Sequence, residues 1–184
     1  MYNFIKALIG IASLCQVNAY SFMNAMADWD KPIYISRSLT DFHRDCVVES
    51  VNIINKYNNM YHNIEITDTY IGDSCVRVAY YTPNDPYKRI SGSTEFKGTL
   101  YDDNLWYVDK MQISINDEIQ YFNSCLNVVV HELLHTRGLY HSDVPESIMN
   151  MSVIVTTNGI LKDMIRPMLS MDDVLGLIEI KHRP

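Results

Sequence analysis

One run of residues, HELLHTRGLYH at positions 131–141, constrains this chain more than any other feature. His131 and His135 are four residues apart, so on an α-helix they project from one face about one turn apart. Two imidazoles in that arrangement can bind one Zn²⁺ ion at roughly 2.0–2.1 Å per nitrogen. Gly138 permits a positive-φ turn out of the helix, and the turn returns His141 as a third ligand. Three protein ligands leave one tetrahedral position open, as in a catalytic zinc site.

The residue between the first two histidines completes this pattern. Glu132 follows His131 directly and is placed to act as a general base on a zinc-activated water without binding the metal. A lone histidine is most often an ordinary solvated or core residue. A buried apolar helix, however, would not tolerate this group of ionisable side chains unless a metal ion bound them. The apolar residues in question are Leu126, Val128, Val129, Val130, Leu133 and Leu134.

These residues resemble a known family. The run matches the metzincin signature HExxHxxGxxH, and Ser142 after His141 is similar to the matrixin branch of that superfamily. Met149 stands within Ser147-Ile148-Met149 at the spacing of a matrixin Met-turn. The resemblance implies a zinc-dependent endopeptidase that hydrolyses peptide bonds, with Glu132 as its general base. It also implies that Met149 forms a hydrophobic floor beneath the three imidazoles.

The resemblance extends over most of the chain. Residues 169–177, LSMDDVLGL, resemble the start of the last matrixin helix, and residues 28–35 resemble the entry to the first strand. Only the stretch 126–149 is sharply diagnostic. The implied fold is a metzincin (zincin-like) catalytic domain, in which a twisted mixed β-sheet packs against an active-site helix and a C-terminal helix. The implied partners are protein or peptide substrates, with extracellular matrix proteins among the candidates, and we expect a monomer.

Some family features are missing from this sequence. Matrixin domains usually carry a second, structural zinc with histidine ligands, but no histidine occurs between Cys75 and Ile119. We therefore predict one catalytic zinc and no structural zinc. The acidic residues of that segment are interpreted as a solvated loop surface, so they give little support for calcium. Those residues are Asp102, Asp103, Asp109 and Asp117.

The order of hydrophobic patterns independently predicts an α+β domain. Apolar and β-branched runs indicate strands, and apolar residues at helical spacing indicate three helices. The strands are predicted at 32–36, 64–67, 75–81, 99–101, 106–108 and 111–115. The helices are predicted at 41–57, 119–137 and 171–180, with a loop at 82–98 and irregular chain at 146–163. This order fits a mixed sheet with a zinc cleft between the sheet edge and the C-terminal segment.

The first residues read as a targeting segment. An apolar run at 7–15 is followed by small residues at Val17 and Ala19, the pattern of a secretory signal peptide. We therefore expect a signal peptide at 1–19, a catalytic domain at 20–184 and an extracellular location, with Ala25-Met26-Ala27 as a second candidate cleavage site. About a dozen residues then precede the first strand, too few for a folded inhibitory domain. The enzyme is expected to need no activation beyond signal removal.

Charge and the remaining histidines exclude other roles. The chain has 22 acidic and 15 basic residues and a formal net charge of −7. This balance argues against nucleic acid or an anionic membrane as a partner, and no later stretch is long enough to span a bilayer. His43, His62 and His182 have no partner at ligand spacing and are predicted to lie at the surface.

Beyond the first segment the chain has three cysteines, Cys46, Cys75 and Cys125. A secreted protein with three cysteines can hold one disulfide and one thiol, and the sequence does not say which pair forms. A thiolate that blocks the zinc is the alternative. Structural roles are favoured because nothing here resembles the matrixin pro-segment motif.

Two other classes of function remain open at this stage. A catalytically inactive binding protein on a metzincin scaffold is one, although Glu132 and all three histidines are intact. A zinc enzyme acting on a non-peptide amide or a cell-wall bond is the other. Zymography with and without chelator would separate the first alternative from a peptidase.

Overall fold

The protein is described from a computed structural model. It describes residues 20–22, 25–27, 30–57, 63–85, 91–102, 105–150 and 168–180. The expected signal peptide at 1–19 lies outside these ranges, as do His62, Asp103 and His182. Within them, no helix is long and apolar enough to cross a membrane.

The described chain contains eight strands and three α-helices. The strands are β1 Tyr20–Phe22, β2 Ala25–Ala27, β3 Ile33–Ile35, β4 Ile66–Thr67, β5 Val76–Tyr80, β6 Gly92–Asp102, β7 Leu105–Ile115 and β8 Leu139–Ser142. The helices are α1 Asp41–Tyr57, α2 Phe122–His135 and α3 Met171–Ile180, and a short 3₁₀ turn spans Gly72–Ser74. The predicted bounds of α1 and α3 are confirmed, and the strands predicted at 32–36 and 75–81 are found within one or two residues of those positions.

Six of the strands form one mixed sheet. Its order is β2-β7-β5-β3-β4, and β6 pairs with β7 as an antiparallel hairpin partner, whereas the other pairings are parallel. β3 and β5 are central and bury Ile33, Val76 and Val78 completely or nearly so, as expected for strands covered on both faces. The α+β class and the mixed sheet are confirmed. A separate antiparallel pair joins β1 to β8.

Helix α1 packs against helix α2, and a disulfide joins them. Val47 and Ile54 of α1 are fully buried, as the predicted apolar face requires. Val48 of the same helix is 39% exposed, because it lies one helical position beyond the buried stripe. The disulfide links Cys46 of α1 to Cys125 of α2, and Cys75 is a buried free thiol.

The hairpin of β6 and β7 differs from the sequence prediction. Residues 82–98 were predicted as a loop and the following residues as short strands, but Gly92–Asp102 and Leu105–Ile115 are two strands of 11 residues each. An antiparallel edge strand has one half-solvated face, so its polar residues resemble a loop in sequence. Asp102 and Asp109 consequently lie on strands, so the prediction that they belong to a loop is wrong, whereas Asp109 is exposed to solvent as expected.

His43 was also predicted incorrectly. Its side chain is buried rather than at the surface. Its Nδ1 atom lies 2.9 Å from both Thr40 Oγ1 and Tyr80 Oη. These contacts tie the first turn of α1 to the end of β5, and only the folded arrangement brings Tyr80 to this histidine.

The disulfide generates a stability prediction. Cys46 and Cys125 are 79 residues apart, and a cross-link that closes a long loop typically contributes about 2–4 kcal/mol. The double variant Cys46→Ala/Cys125→Ala should lower the free energy of unfolding by that amount in urea titrations. Reductant should destabilise the native protein to the same level and leave the double variant unchanged. A native protein that is insensitive to reductant would contradict the assigned pair.

Candidate metal centre

Helix α2 carries the first three residues of the candidate site. His131, Glu132 and His135 all lie in its last turns and are buried. Neighbouring positions such as Val130 and Leu133 are fully buried in the core, so α2 is held with both its apolar and its ionisable side chains inside the domain. The histidines share one helix face, and their ring centroids are 4.7 Å apart.

The chain then turns back and adds His141. Gly138 has φ of 88°, a conformation that a Cβ atom would disfavour, and its N–H bonds to the carbonyl of His135 at 2.9 Å. Strand β8 follows at once and carries His141. The ligand atoms of the three histidines all lie within 4.8 Å of one another, and no other such group occurs in the described parts of the chain. The three histidines singled out from the sequence are therefore brought together.

Hydrogen bonds fix the orientation of two rings. Nδ1 of His131 lies 2.8 Å from the carbonyl oxygen of Ile148, and Nδ1 of His135 lies 2.8 Å from that of Leu139. A carbonyl oxygen can only accept, so each Nδ1 carries the proton and each Nε2 keeps a free lone pair. This arrangement of an imidazole with its second nitrogen bonded to a carbonyl is typical of metal-binding histidines.

Burial also favours the neutral imidazoles that a metal requires. Burial, with the neighbouring His131, lowers the pKa of His135 to about 3. Burial likewise lowers the pKa of His131 and of His141 from the ordinary value. The residues present thus fit a zinc ion in tautomer, charge and spacing.

Glu132 lies beside this group in a nearly dry environment. It is 5% exposed, and burial raises the pKa of its carboxyl to about 7, against the opposing effect of a hydrogen bond from Thr94. The Thr94 hydroxyl lies 2.7 Å from Glu132 Oε2. Sequence reasoning missed Thr94 because it falls in the segment predicted as a loop. Its one sequence signal is the alternation of apolar and polar residues in β6.

Comparison with known protein families identifies the family of this chain. The family model described as Matrixin matches residues 19–180. The chain belongs to the matrixin family. As a matrixin it is a zinc metalloendopeptidase of the metzincin type, which confirms the resemblance found in the sequence. Zinc is its metal, and its substrates are peptides or proteins.

Comparison with solved structures also finds a similar chain. High choriolytic enzyme 1, a hatching enzyme zinc-protease from Oryzias latipes (medaka fish), is similar with a TM-score of 0.47 and 13% sequence identity. The alignment covers 91% of this chain and 97% of that one. Comparison with curated protein sequences finds no match.

The turn that contains Met149 is hydrogen-bonded to the candidate site of this matrixin. Met149 is fully buried, and its N–H bonds to Ser147 Oγ at 3.0 Å. Its carbonyl accepts the N–H of Ser142, the residue after His141. The carbonyl of Ile148, one residue earlier, is the group that orients His131. This short turn therefore contacts both ends of the HExxHxxGxxH run.

Asp173, at the start of α3, anchors that turn. It is only 1% exposed, and its carboxylate accepts the Ser147 hydroxyl and, at 3.1 Å, the N–H of Ile148. The N–H and hydroxyl of Ser170 bond to the same carboxylate at 2.8 Å each. The carboxylate is thus saturated with donors, and it connects α3 through Ile148 to the His131 ring.

The sequence indicated the helix that bears Asp173 but not this role. The pattern LSMDDVLGL predicted where α3 begins, and Asp173 lies in the first turn, where an acidic residue is ordinary. Only the docking of α3 against residues 147–148 distinguishes it from Asp172, which is half-buried and accepts a hydrogen bond from Ser142.

Asp173→Asn should weaken zinc binding, although Asp173 is far in sequence from the three histidines. The amide would present N–H groups to a site that already holds four donors, so the turn and the His131 ring would lose their fixed orientation. Loss of such an outer partner typically costs 10-fold to 100-fold in metal affinity, so we expect a fall of about that size. Competition with a chelator of known affinity measures it, and Asp172→Asn is the matched control. Equal zinc affinities in the two variants would contradict the role of Asp173.

Proposed function

We propose that this matrixin is a secreted endopeptidase in which His131, His135 and His141 bind the catalytic zinc. Glu132 acts as the general base, and Met149 forms the Met-turn below the imidazoles. The observation that carries the proposal is the convergence of three histidine ligand atoms within 4.8 Å beside a buried carboxylate.

The chemistry divides between the metal and the chain. Zinc, when bound, supplies a Lewis acid that polarises the scissile carbonyl and lets water lose a proton near neutral pH. Glu132 accepts the proton of the attacking water on a carboxylate oxygen and returns it to the leaving amine. Glu132 is nearly inaccessible to water. Few water dipoles therefore compete there, and the electrostatic interaction of Glu132 with charge that develops in the transition state is stronger. The hydrogen bonds from Nδ1 of His131 and of His135 to backbone carbonyls keep both rings in place throughout.

Export from the cell is part of the same proposal. The apolar run at 7–15 and the small residues at 17 and 19 support a signal peptide at 1–19, with the catalytic domain at 20–184. The disulfide between Cys46 and Cys125 gives independent support, because disulfides form mainly in oxidising compartments. Extracellular proteins, including matrix proteins, are then the proposed substrates, and the acting unit is a monomer. An unprocessed amino terminus on the protein recovered from culture medium would contradict the signal peptide.

Glu132→Ala tests the proposed mechanism most simply. The variant should keep its fold and about one zinc per chain, because Glu132 is not a ligand. Its turnover of a peptide substrate should fall by about 100-fold or more, because general base catalysis alone contributes at least that factor. The matched control is Glu118→Ala, an exposed carboxylate in the loop before α2, which should retain native turnover. A Glu132→Ala enzyme with more than about a tenth of native turnover would rule out the general-base assignment.

A further inference from the structure

Strand β6 lies close to helix α2 at Gly92, beside Val128 and Glu132. A Cβ atom built on Gly92 would lie 2.5 Å from Val128 Cγ1 and 3.2 Å from Glu132 Cγ. The first distance is shorter than any van der Waals contact between carbons, so the absence of a side chain at Gly92 permits this approach. Thr94 lies two residues further along the same strand and therefore on the same face as Gly92.

The Thr94 hydroxyl is directed at the Glu132 carboxylate. Thr94 Oγ1 lies 2.7 Å from Glu132 Oε2 and 3.1 Å from the backbone carbonyl of Glu132. A hydroxyl has one proton, and a charged acceptor at the shorter distance takes the stronger bond. Within the described chain, no other side chain donates a hydrogen bond to this carboxylate.

The strand does not need this hydrogen bond for its own pairing. The backbone register of β6 with β7 already joins Gly92 to Ile115 and Thr94 to Ile113. Phe96 of the same strand packs against the hydrophobic core. The Thr94 hydroxyl is therefore available to act on Glu132, and its removal leaves the hairpin's backbone ladder intact.

We propose that Thr94 is a positioning residue for the general base: its hydroxyl holds Oε2 and fixes the carboxylate of Glu132 in one orientation. A glutamate side chain has several rotatable torsions. Without a hydrogen-bond partner that fixes it, the side chain also populates rotamers in which the carboxylate is not positioned for catalysis. Gly92 contributes by allowing the strand close enough for the hydroxyl to reach. This inference rests on the proposed role of Glu132 and adds the group that orients it.

The first experiment separates the hydroxyl from the shape of the side chain. Thr94→Val keeps the shape and removes the donor, whereas Thr94→Ser keeps the donor and removes a methyl group. A hydrogen bond to a charged group is worth enough that Thr94→Val should lower kcat by about 10-fold to 100-fold, with KM within about twofold of native. Thr94→Ser should keep most of the native kcat. Thr99→Val, at an exposed position of the same strand, is the matched control and should behave as native.

The second experiment tests whether Thr94 acts through Glu132. In a Glu132→Ala background, Thr94→Val should cause no further loss of the residual turnover, because the partner is already absent. The same four proteins (native, the two single variants and the double variant) are also compared by thermal unfolding in their zinc-loaded forms. Thr94→Val should lower the midpoint by about 2–5 °C in the native background, where it leaves a buried carboxylate without its donor. In the Glu132→Ala background the midpoint should not change.

Each remaining outcome has a defined meaning. If Glu132→Ala is inactive while Thr94→Val is native in kcat, the positioning role is wrong and the proposed function stands. If Thr94→Ser loses as much kcat as Thr94→Val, the hydroxyl is not the active feature and the inference fails. If the effects of Thr94→Val and Glu132→Ala on turnover and on the unfolding midpoint are fully additive, Thr94 does not act through Glu132. If Glu132→Ala keeps its turnover, the proposed function fails first and this inference fails with it.

Discussion

The candidate site depends first on two hydrogen bonds from imidazole to backbone. Nδ1 of His131 donates to Ile148 and Nδ1 of His135 donates to Leu139, each at 2.8 Å. These bonds select one tautomer and direct the free nitrogen lone pairs away from the carbonyls. Both carbonyls belong to chain that follows the helix. The helix spacing therefore places two histidines on one face, but the backbone after the helix determines what those rings can bind.

Three parts of the fold meet at helix α2 to make this possible. The turn at Gly138 brings back Leu139 and His141, and the turn around Met149 supplies the carbonyl of Ile148. Helix α3 holds that second turn through the buried carboxylate of Asp173. Strand β6 reaches Glu132 through Thr94. The proposed general base and the rings proposed to bind the metal are thus oriented by different elements, and substitutions in one set should leave the other largely unaffected.

Local patterns in the sequence predicted much of this arrangement. The periodicity of residues 41–57 and 171–180 gave the bounds of two helices, and the spacing of His131, His135 and His141 gave the three converging side chains. These features depend on neighbours within about one or two turns of chain. The long strands β6 and β7, the burial of His43 and the contact of Thr94 with Glu132 were not predicted. Each depends on residues 37 or 38 positions apart or on a sheet edge whose polar face resembles a loop. Asp173 is an intermediate case, since its helix was predicted but its partner was not.

We propose that three imidazoles, two of them oriented through their Nδ1 atoms, hold the zinc of this matrixin. Anomalous diffraction at the zinc absorption edge, from crystals of the metal-loaded protein, tests it most directly. We expect one strong anomalous peak within about 2.0–2.1 Å of Nε2 of His131, His135 and His141, with the fourth position left to a non-protein ligand. A peak bound to the Cys75 thiol, or a zinc bound through Nδ1 of His131 or His135, would contradict it.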